Sequence, residues 1–159
     1  MRRVLIVCHG NICRSPMAEG YLRKLVEDSR LEGIAVASAG VGALEGNAAC
    51  DEARAVARLH GFSIDNHWAR QLTEADLAAA DEVLVMDRFQ RDSLRRHADR
   101  PDKVRLLAEF GPGAEVSVPD PYGRELDVYE EIYAQIEAAV DGYFRECILP
   151  LAEGNGEGR

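Results

Sequence analysis

The chain opens on a short apolar run, Val4-Leu5-Ile6-Val7, that passes directly into Cys8-His9-Gly10-Asn11-Ile12-Cys13-Arg14-Ser15-Pro16. Consecutive apolar residues bounded by a turn signal read as a strand buried on both faces, the kind found in parallel sheets. Pro16 would break a helix interior but is harmless in a first turn, so the spacing predicts Ser15 as N-cap and Pro16 as the first helical residue. Strand, tight loop and helix start then converge on one point. The loop's N–H groups and the positive end of the helix dipole face whatever occupies it. A nucleophilic thiol, Cys8, and a fixed cation, Arg14, bound the loop, and the pattern points to chemistry on an anion.

The rest of the chain alternates strand and helix signals. Met17, Tyr21, Leu22, Leu25 and Val26 share one helical face, and Ile34-Ala35-Val36-Ala37-Ser38 is an apolar strand leaving into Ala39-Gly40-Val41-Gly42. Helices are expected over 51–60 and 89–97, and a short one after Thr73-Glu74-Ala75-Asp76, whose acidic first turn suits a helix start. Glu82 to Asp87 and Val104 to Leu107 complete four strands, Gly111 to Tyr122 is a proline-rich loop, and Val128 to Phe144 carries apolar residues at helical spacing through a last helix ending near Cys147. The expected fold is α/β: one domain over 1–150, an open four-stranded parallel sheet in the order 2-1-3-4 with helices on both faces, and a disordered tail over 151–159. In that order the first strand is central, and Cys8 stands at its carboxyl end, where open sheets bind ligands.

Charge limits the partners. The 28 acidic and 19 basic residues of this 159-residue chain give a net −9, which argues against a nucleic-acid surface, since backbone phosphates need clustered Lys and Arg. No segment approaches the ~18 consecutive apolar residues of a membrane span, and Met1-Arg2-Arg3 precedes a run too short for a signal peptide. A cytoplasmic protein, or one secreted without a signal peptide, is expected. The four cysteines, Cys8, Cys13, Cys50 and Cys147, lack paired zinc spacings, and Cys8, Cys13 and His9 would still want a fourth ligand. Neither metal nor cofactor is called for.

A phosphate monoester fits the loop. Arg14 can hold two non-bridging oxygens through its fork, and the backbone of His9, Gly10, Asn11, Ile12, Cys13, Arg14 and Ser15 can hold the rest. The same positive surroundings favour a thiolate at Cys8, which can attack phosphorus in line and give a phosphocysteine intermediate. Gly10 permits close approach, Asn11 tolerates a left-handed backbone, and Ser15 can donate toward the Cys8 sulfur. The leaving oxygen needs a proton, for which Asp120, held between Pro119 and Pro121, is the candidate acid, and Tyr122 can form an aromatic wall.

The run from Val7 to Glu19 resembles the signature of the low-molecular-weight protein tyrosine phosphatases, bacterial type. Ser38-Ala39-Gly40, His67-Trp68-Ala69-Arg70-Gln71, Met86-Asp87 and Asp120-Pro121-Tyr122 extend the resemblance over roughly residues 3 to 148. It implies Cys8 as nucleophile, Arg14 as phosphate clamp and Asp120 as general acid, then base for water, with Asn11 and Ser15 shaping the loop. His67 is implied to support the loop through Asn11 and Ser38, and Cys13 to be a reversible redox partner of Cys8. Substrates would be phosphotyrosine proteins, either a cognate bacterial tyrosine kinase or host proteins, with inorganic phosphate as product.

Departures from the family shape the rest. Residues 46–51 lack a proline common in relatives, and Leu44 stands near a position where eukaryotic members carry an aromatic wall. Cys50 and Cys147 read as ordinary thiols. Arsenate reductases of the same fold relay a disulfide through a downstream cysteine pair, absent between 51 and 146. Protein-arginine phosphatases tend to carry Thr where Ile12 stands, so Ile12 favours phosphotyrosine. An inactive phosphate-binding module would not require both Cys8 and Asp120.

Overall fold

The computed structural model describes residues 1–113 and 117–156. Four strands, β1 (Arg2–Cys8), β2 (Ile34–Gly40), β3 (Glu82–Val85) and β4 (Val104–Leu106), form one parallel sheet in the order β2-β1-β3-β4, as the alternating pattern predicts. Around it lie α1 (Arg14–Asp28), α2 (Asp51–Leu59), α3 (Glu74–Ala79), α4 (Arg88–Arg95), α5 (Leu126–Tyr143) and α6 (Leu149–Gly156). β1 pairs along its whole length with β2, from Arg2 opposite Ile34 to Cys8 opposite Gly40, and on its other side Val4–Val7 pair with Glu82–Val85.

Side chains alternate across a strand, and β1 divides its residues accordingly. Val4, Ile6 and Cys8 join the core built with Met17 and Leu22 of α1 and Tyr129, Tyr133, Ile136 and Tyr143 of α5. Leu5 and Val7, with Val83 and Val85 of β3, pack against Leu77 of α3 and Leu94 of α4 on the opposite face. Burial of such side chains contributes roughly 1.5–3 kcal/mol each, so a one-residue slip of β1 would oppose two complete cores. The parity that buries Ile6 therefore delivers Cys8 to the face from which α1 starts.

Helix ends follow local chemistry with two departures from expectation. Thr73 caps α3 through a reciprocal capping box with Asp76, and the Asp87 side chain accepts the Gln90 N–H at 2.8 Å to start α4. The first departure is at α1, which begins at Arg14, not at Pro16. Its N-cap is Cys13, with no side-chain cap, and Pro16 is the third helical residue, where a missing N–H still has no intrahelical partner to lose. Ser15 is thus inside the helix, free for other bonds.

The second departure is at the C-terminus. The helix does not stop near Cys147; it widens to π geometry over Phe144–Ile148 and continues as α6. Pro150 cannot donate to the preceding turn, and the change of helical register just before it accommodates that loss. Residues 151–156, expected as tail, are helical, whereas 157–159 lie outside the described residues, as do 114–116 of the expected loop.

Candidate active site

The carboxyl end of β1 runs into a loop whose carbonyl groups are all occupied from outside. Val41 N–H donates to Cys8 at 3.0 Å, Gly42 to His9 at 2.9 Å, Leu44 to Gly10 at 3.2 Å, Cys50 to Ile12 at 3.0 Å and Met17 to Cys13 at 3.3 Å. The Asn11 carbonyl meets His67 Nε2 at 2.7 Å. With every carbonyl turned outward, the N–H groups of residues 9–13 donate to no protein group among the described residues, which is the arrangement of an anion nest. Electrostatically the loop presents amide hydrogens, the start of α1 and the Arg14 guanidinium to one space.

Asn11 holds that curvature. Its backbone is left-handed, φ 59, and its side chain is fully buried. Nδ2 donates to Ser15 Oγ at 2.8 Å and to Ser38 Oγ at 3.0 Å, while Oδ1 accepts the Arg70 N–H at 3.0 Å. A short polar side chain that can satisfy three partners tolerates the strained conformation. Gly40 lets the neighbouring strand approach: a Cβ there would lie 2.5 Å from the His9 carbonyl oxygen. The irregular segment expected over 62–71 is positioned by paired bridges, Gly40 with Gln71 and Ala48 with Trp68.

The nucleophile candidate and its neighbours converge at one cleft of about 250 Å³. Cys8 is 2% exposed, and its Sγ lies 2.9 Å from Ser15 Oγ. Arg14, 5% exposed, donates from Nη1 to the Val118 carbonyl at 2.9 Å, which sets the plane of the guanidinium. Its Nη2 lies 3.8 Å from Asp120 Oδ2, and Asp120 itself is half exposed. Leu44 and Tyr122 line the same cleft beside Ile12, and both are exposed. Asp120 also accepts the Tyr122 N–H at 3.1 Å, a local turn that orients the carboxylate.

Of the residues expected at the site, Cys8, His9, Gly10, Ile12, Cys13, Arg14, Leu44, Asp120 and Tyr122 line this one cleft. Asn11, Ser15, Ser38 and His67 stand behind the loop. His67 reaches the Asn11 carbonyl, while Ser38 meets the Asn11 amide and not His67, so the two supports act on different atoms of one residue.

Three features at or beside the site were not legible in the sequence. The Val118 carbonyl is a backbone atom without any residue signature. Phe89, 82% exposed at the start of α4, lines a neighbouring cavity with His9, Arg14 and Asp120. Cys50, expected to be an ordinary thiol, lies with its Sγ 3.1 Å from Cys13 Sγ, and Tyr129 Oη is 3.4 Å from both. The hydrogen bond from the Cys13 thiol lowers Cys50 to about 7, with help from Tyr129 and from the Ala53 N–H at the start of α2, against burial. Cys13 moves the other way, raised by sharing its proton with Cys50 and by burial. Among the described residues no cluster of three His, Cys, Asp or Glu side chains could hold a metal.

An open parallel sheet with a thiol and an arginine closing a five-residue anion loop behind its first strand defines a recognisable class. The family model for low molecular weight phosphotyrosine protein phosphatase matches residues 3–149, and the chain belongs to that family. It is 39% identical over 144 residues to a probable low molecular weight protein-tyrosine-phosphatase EpsP of Ralstonia nicotianae, covering 90% of this chain and 94% of the relative. It is also 35% identical over 140 residues to a protein-arginine-phosphatase of Geobacillus stearothermophilus, with 87% and 91% covered. A crystal structure of the low molecular weight protein tyrosine phosphatase of T. tengcongensis superposes with a TM-score of 0.84 at 38% identity, covering 92% of this chain and 99% of that one.

Proposed function

We propose that this enzyme hydrolyses phosphotyrosine on proteins in two steps through a phosphocysteine at Cys8, releasing inorganic phosphate. The observation that supports this most directly is the convergence of Cys8, Arg14 and Asp120 on one cleft, with Ser15 Oγ 2.9 Å from the sulfur and Asp120 Oδ2 3.8 Å from the clamp. The Cys8 thiolate attacks phosphorus, the S–P bond forms, and the bond to the phenolic oxygen breaks as Asp120 supplies its proton. Arg14 and the loop amides stabilise the charge on the non-bridging oxygens where it develops. Asp120, now a carboxylate, takes a proton from water as that water attacks phosphorus, and Cys8 leaves as a thiolate held by the Ser15 hydroxyl. No metal or cofactor enters either step.

Leu44, Ile12 and Tyr122 give the cleft an apolar wall suited to a phenyl ring, and proteins carrying phosphotyrosine, a cognate tyrosine kinase or host proteins among them, are the proposed substrates. No helix among the described residues is long and apolar enough to cross a membrane. The test is an assay panel with p-nitrophenyl phosphate, a phosphotyrosine peptide and a phosphoarginine peptide. Wild type should turn over the first two, Cys8→Ser should be inactive, and Asp120→Asn should lose about 10²–10⁴-fold in kcat on the peptide, the usual contribution of a general acid. Turnover of phosphoarginine without phosphotyrosine would reassign the substrate. An inactive wild type would leave only a phosphate-binding module.

A further inference from the structure

Where Cys13 reaches from the cleft to the back of the loop, its thiol meets two side chains that have no part in phosphate hydrolysis, Cys50 and Tyr129, the three mutually within 3.4 Å. The two thiols come from distant segments, Cys13 as N-cap of α1 and Cys50 as N-cap of α2, and the Cys50 N–H to Ile12 carbonyl bond fastens those segments together. A separation of 3.1 Å between sulfurs is a hydrogen-bonded contact, about 1 Å longer than a disulfide. Cys13 thus shares the cleft lining with Cys8, five positions before it at the start of the loop, and has Cys50 in contact with it from behind.

We propose that Cys50 is a redox-active residue that resolves oxidised Cys13, so that the oxidised protein ends with a Cys13–Cys50 disulfide and a free Cys8. Hydrogen peroxide transfers one oxygen to the Cys8 thiolate, giving a sulfenic acid and, after uptake of a proton, water. The Cys13 thiol displaces the hydroxyl, forming a Cys8–Cys13 bond and a second water. The Cys50 thiolate then attacks Cys13 Sγ. The Cys13–Cys50 bond forms, the Cys8–Cys13 bond breaks, and its electron pair leaves on Cys8 as a thiolate. The balance is one peroxide, the Cys13 proton and one proton from solvent consumed for one disulfide and two waters.

Direction follows from the surroundings. In the reduced protein the Cys13 thiol, Tyr129 and the Ala53 N–H lower Cys50 to about 7. Once Cys13 is bonded to Cys8 its S–H is gone, and Tyr129 and the Ala53 N–H remain to favour the thiolate of a sulfur that already lies 3.1 Å from Cys13 Sγ. The displaced Cys8 sulfur returns to the loop, where the Ser15 hydroxyl 2.9 Å away and the N–H groups of residues 9–13 can hold it. Cys50 is half-buried and Cys13 buried, so a small external reductant can reach the finished disulfide from the Cys50 side.

The test is to treat the intact protein with hydrogen peroxide, remove it with catalase, block free thiols with iodoacetamide after denaturation, and map disulfides without reduction. Trypsin leaves Cys8 and Cys13 together in residues 4–14 and Cys50 in residues 31–54. Wild type should give these two peptides joined, with the alkyl group on Cys8, and should regain most of its p-nitrophenyl phosphate activity without added thiol. Cys50→Ser and Cys50→Ala should keep basal activity within about twofold, carry the Cys8–Cys13 link instead, and stay about tenfold or more below it until dithiothreitol is added. Alkylated Cys50 in oxidised wild type, a Cys8–Cys50 link, or equal thiol-free recovery in all three proteins would each overturn the relay. The peptide map is independent of turnover, so a protein inactive before oxidation counts against the phosphatase function alone.

Discussion

Asn11→Ala is the most telling perturbation of the loop, because Asn11 carries three side-chain hydrogen bonds and a left-handed backbone at once. The substitution removes the bonds to Ser15 Oγ, Ser38 Oγ and the Arg70 N–H, at 2.8, 3.0 and 3.0 Å. At about 1 kcal/mol net for each, the side chain contributes about 3 kcal/mol. Alanine at φ 59 adds a backbone cost of about 1 kcal/mol. Asn11→Ala is therefore expected to lose about 4 kcal/mol, a large share of a typical domain's 5–15 kcal/mol. Asn11→Gly loses the same bonds without the backbone strain and should be about 1 kcal/mol more stable than Asn11→Ala. Urea unfolding followed by circular dichroism measures both, and kcat/KM for p-nitrophenyl phosphate should fall in each because the amides no longer share one centre. If the glycine variant proved no more stable than the alanine variant, or if Asn11→Ala cost under about 1 kcal/mol, the case for a strained residue held by its side chain would fail.

Other perturbations test separate parts of the molecule. A Cβ at Gly142 would overlap the Phe110 carbonyl oxygen, so Gly142→Ala should cost about 3 kcal/mol of stability or more, since backbone must move, and lower the urea midpoint accordingly; an unchanged midpoint would refute that packing. Burial raises the pKa of Tyr21, Tyr129, Tyr133 and Tyr143. These phenols ionise more easily unfolded, so their contribution is complete below about pH 10 and is lost as pH rises above it. Phenolate absorbance from these four of the five tyrosines should emerge together with unfolding, and a non-cooperative rise in folded protein larger than the exposed Tyr122 alone can supply would contradict it. Alkylation of Cys50 by iodoacetamide should reach half its maximal rate near pH 7, the rate tracking the thiolate. An inflection at an ordinary thiol pKa would contradict the hydrogen bonding of Cys50 with Cys13 and Tyr129.

The strands and helices, the position of Cys8 and the composition of the loop were determined by the sequence alone, because they follow from local periodicity and from residue types at fixed spacing, and the sheet order followed from their alternation and the right-handed crossovers that parallel strands require. Val4 to Val7 announces a doubly buried strand, and Cys8, Arg14 and Pro16 are close enough in the chain for one loop to relate them. Asp120 was legible through its flanking prolines and the family signature, but its 3.8 Å approach to Arg14 depends on the Val118 carbonyl, a backbone atom that no side-chain pattern marks. The start of α1 at Arg14 was decided in three dimensions: Ser15 bonds to Cys8 and Asn11, and such tertiary partners outweigh its preference for capping. Likewise Cys13 and Cys50, 37 positions apart, meet only because α1 and α2 begin on the same side of β1. Spacing in sequence says nothing of a contact that packing alone creates, and that contact gives the loop cysteine Cys13 a hydrogen-bonded partner in Cys50, which reads as an ordinary thiol in sequence.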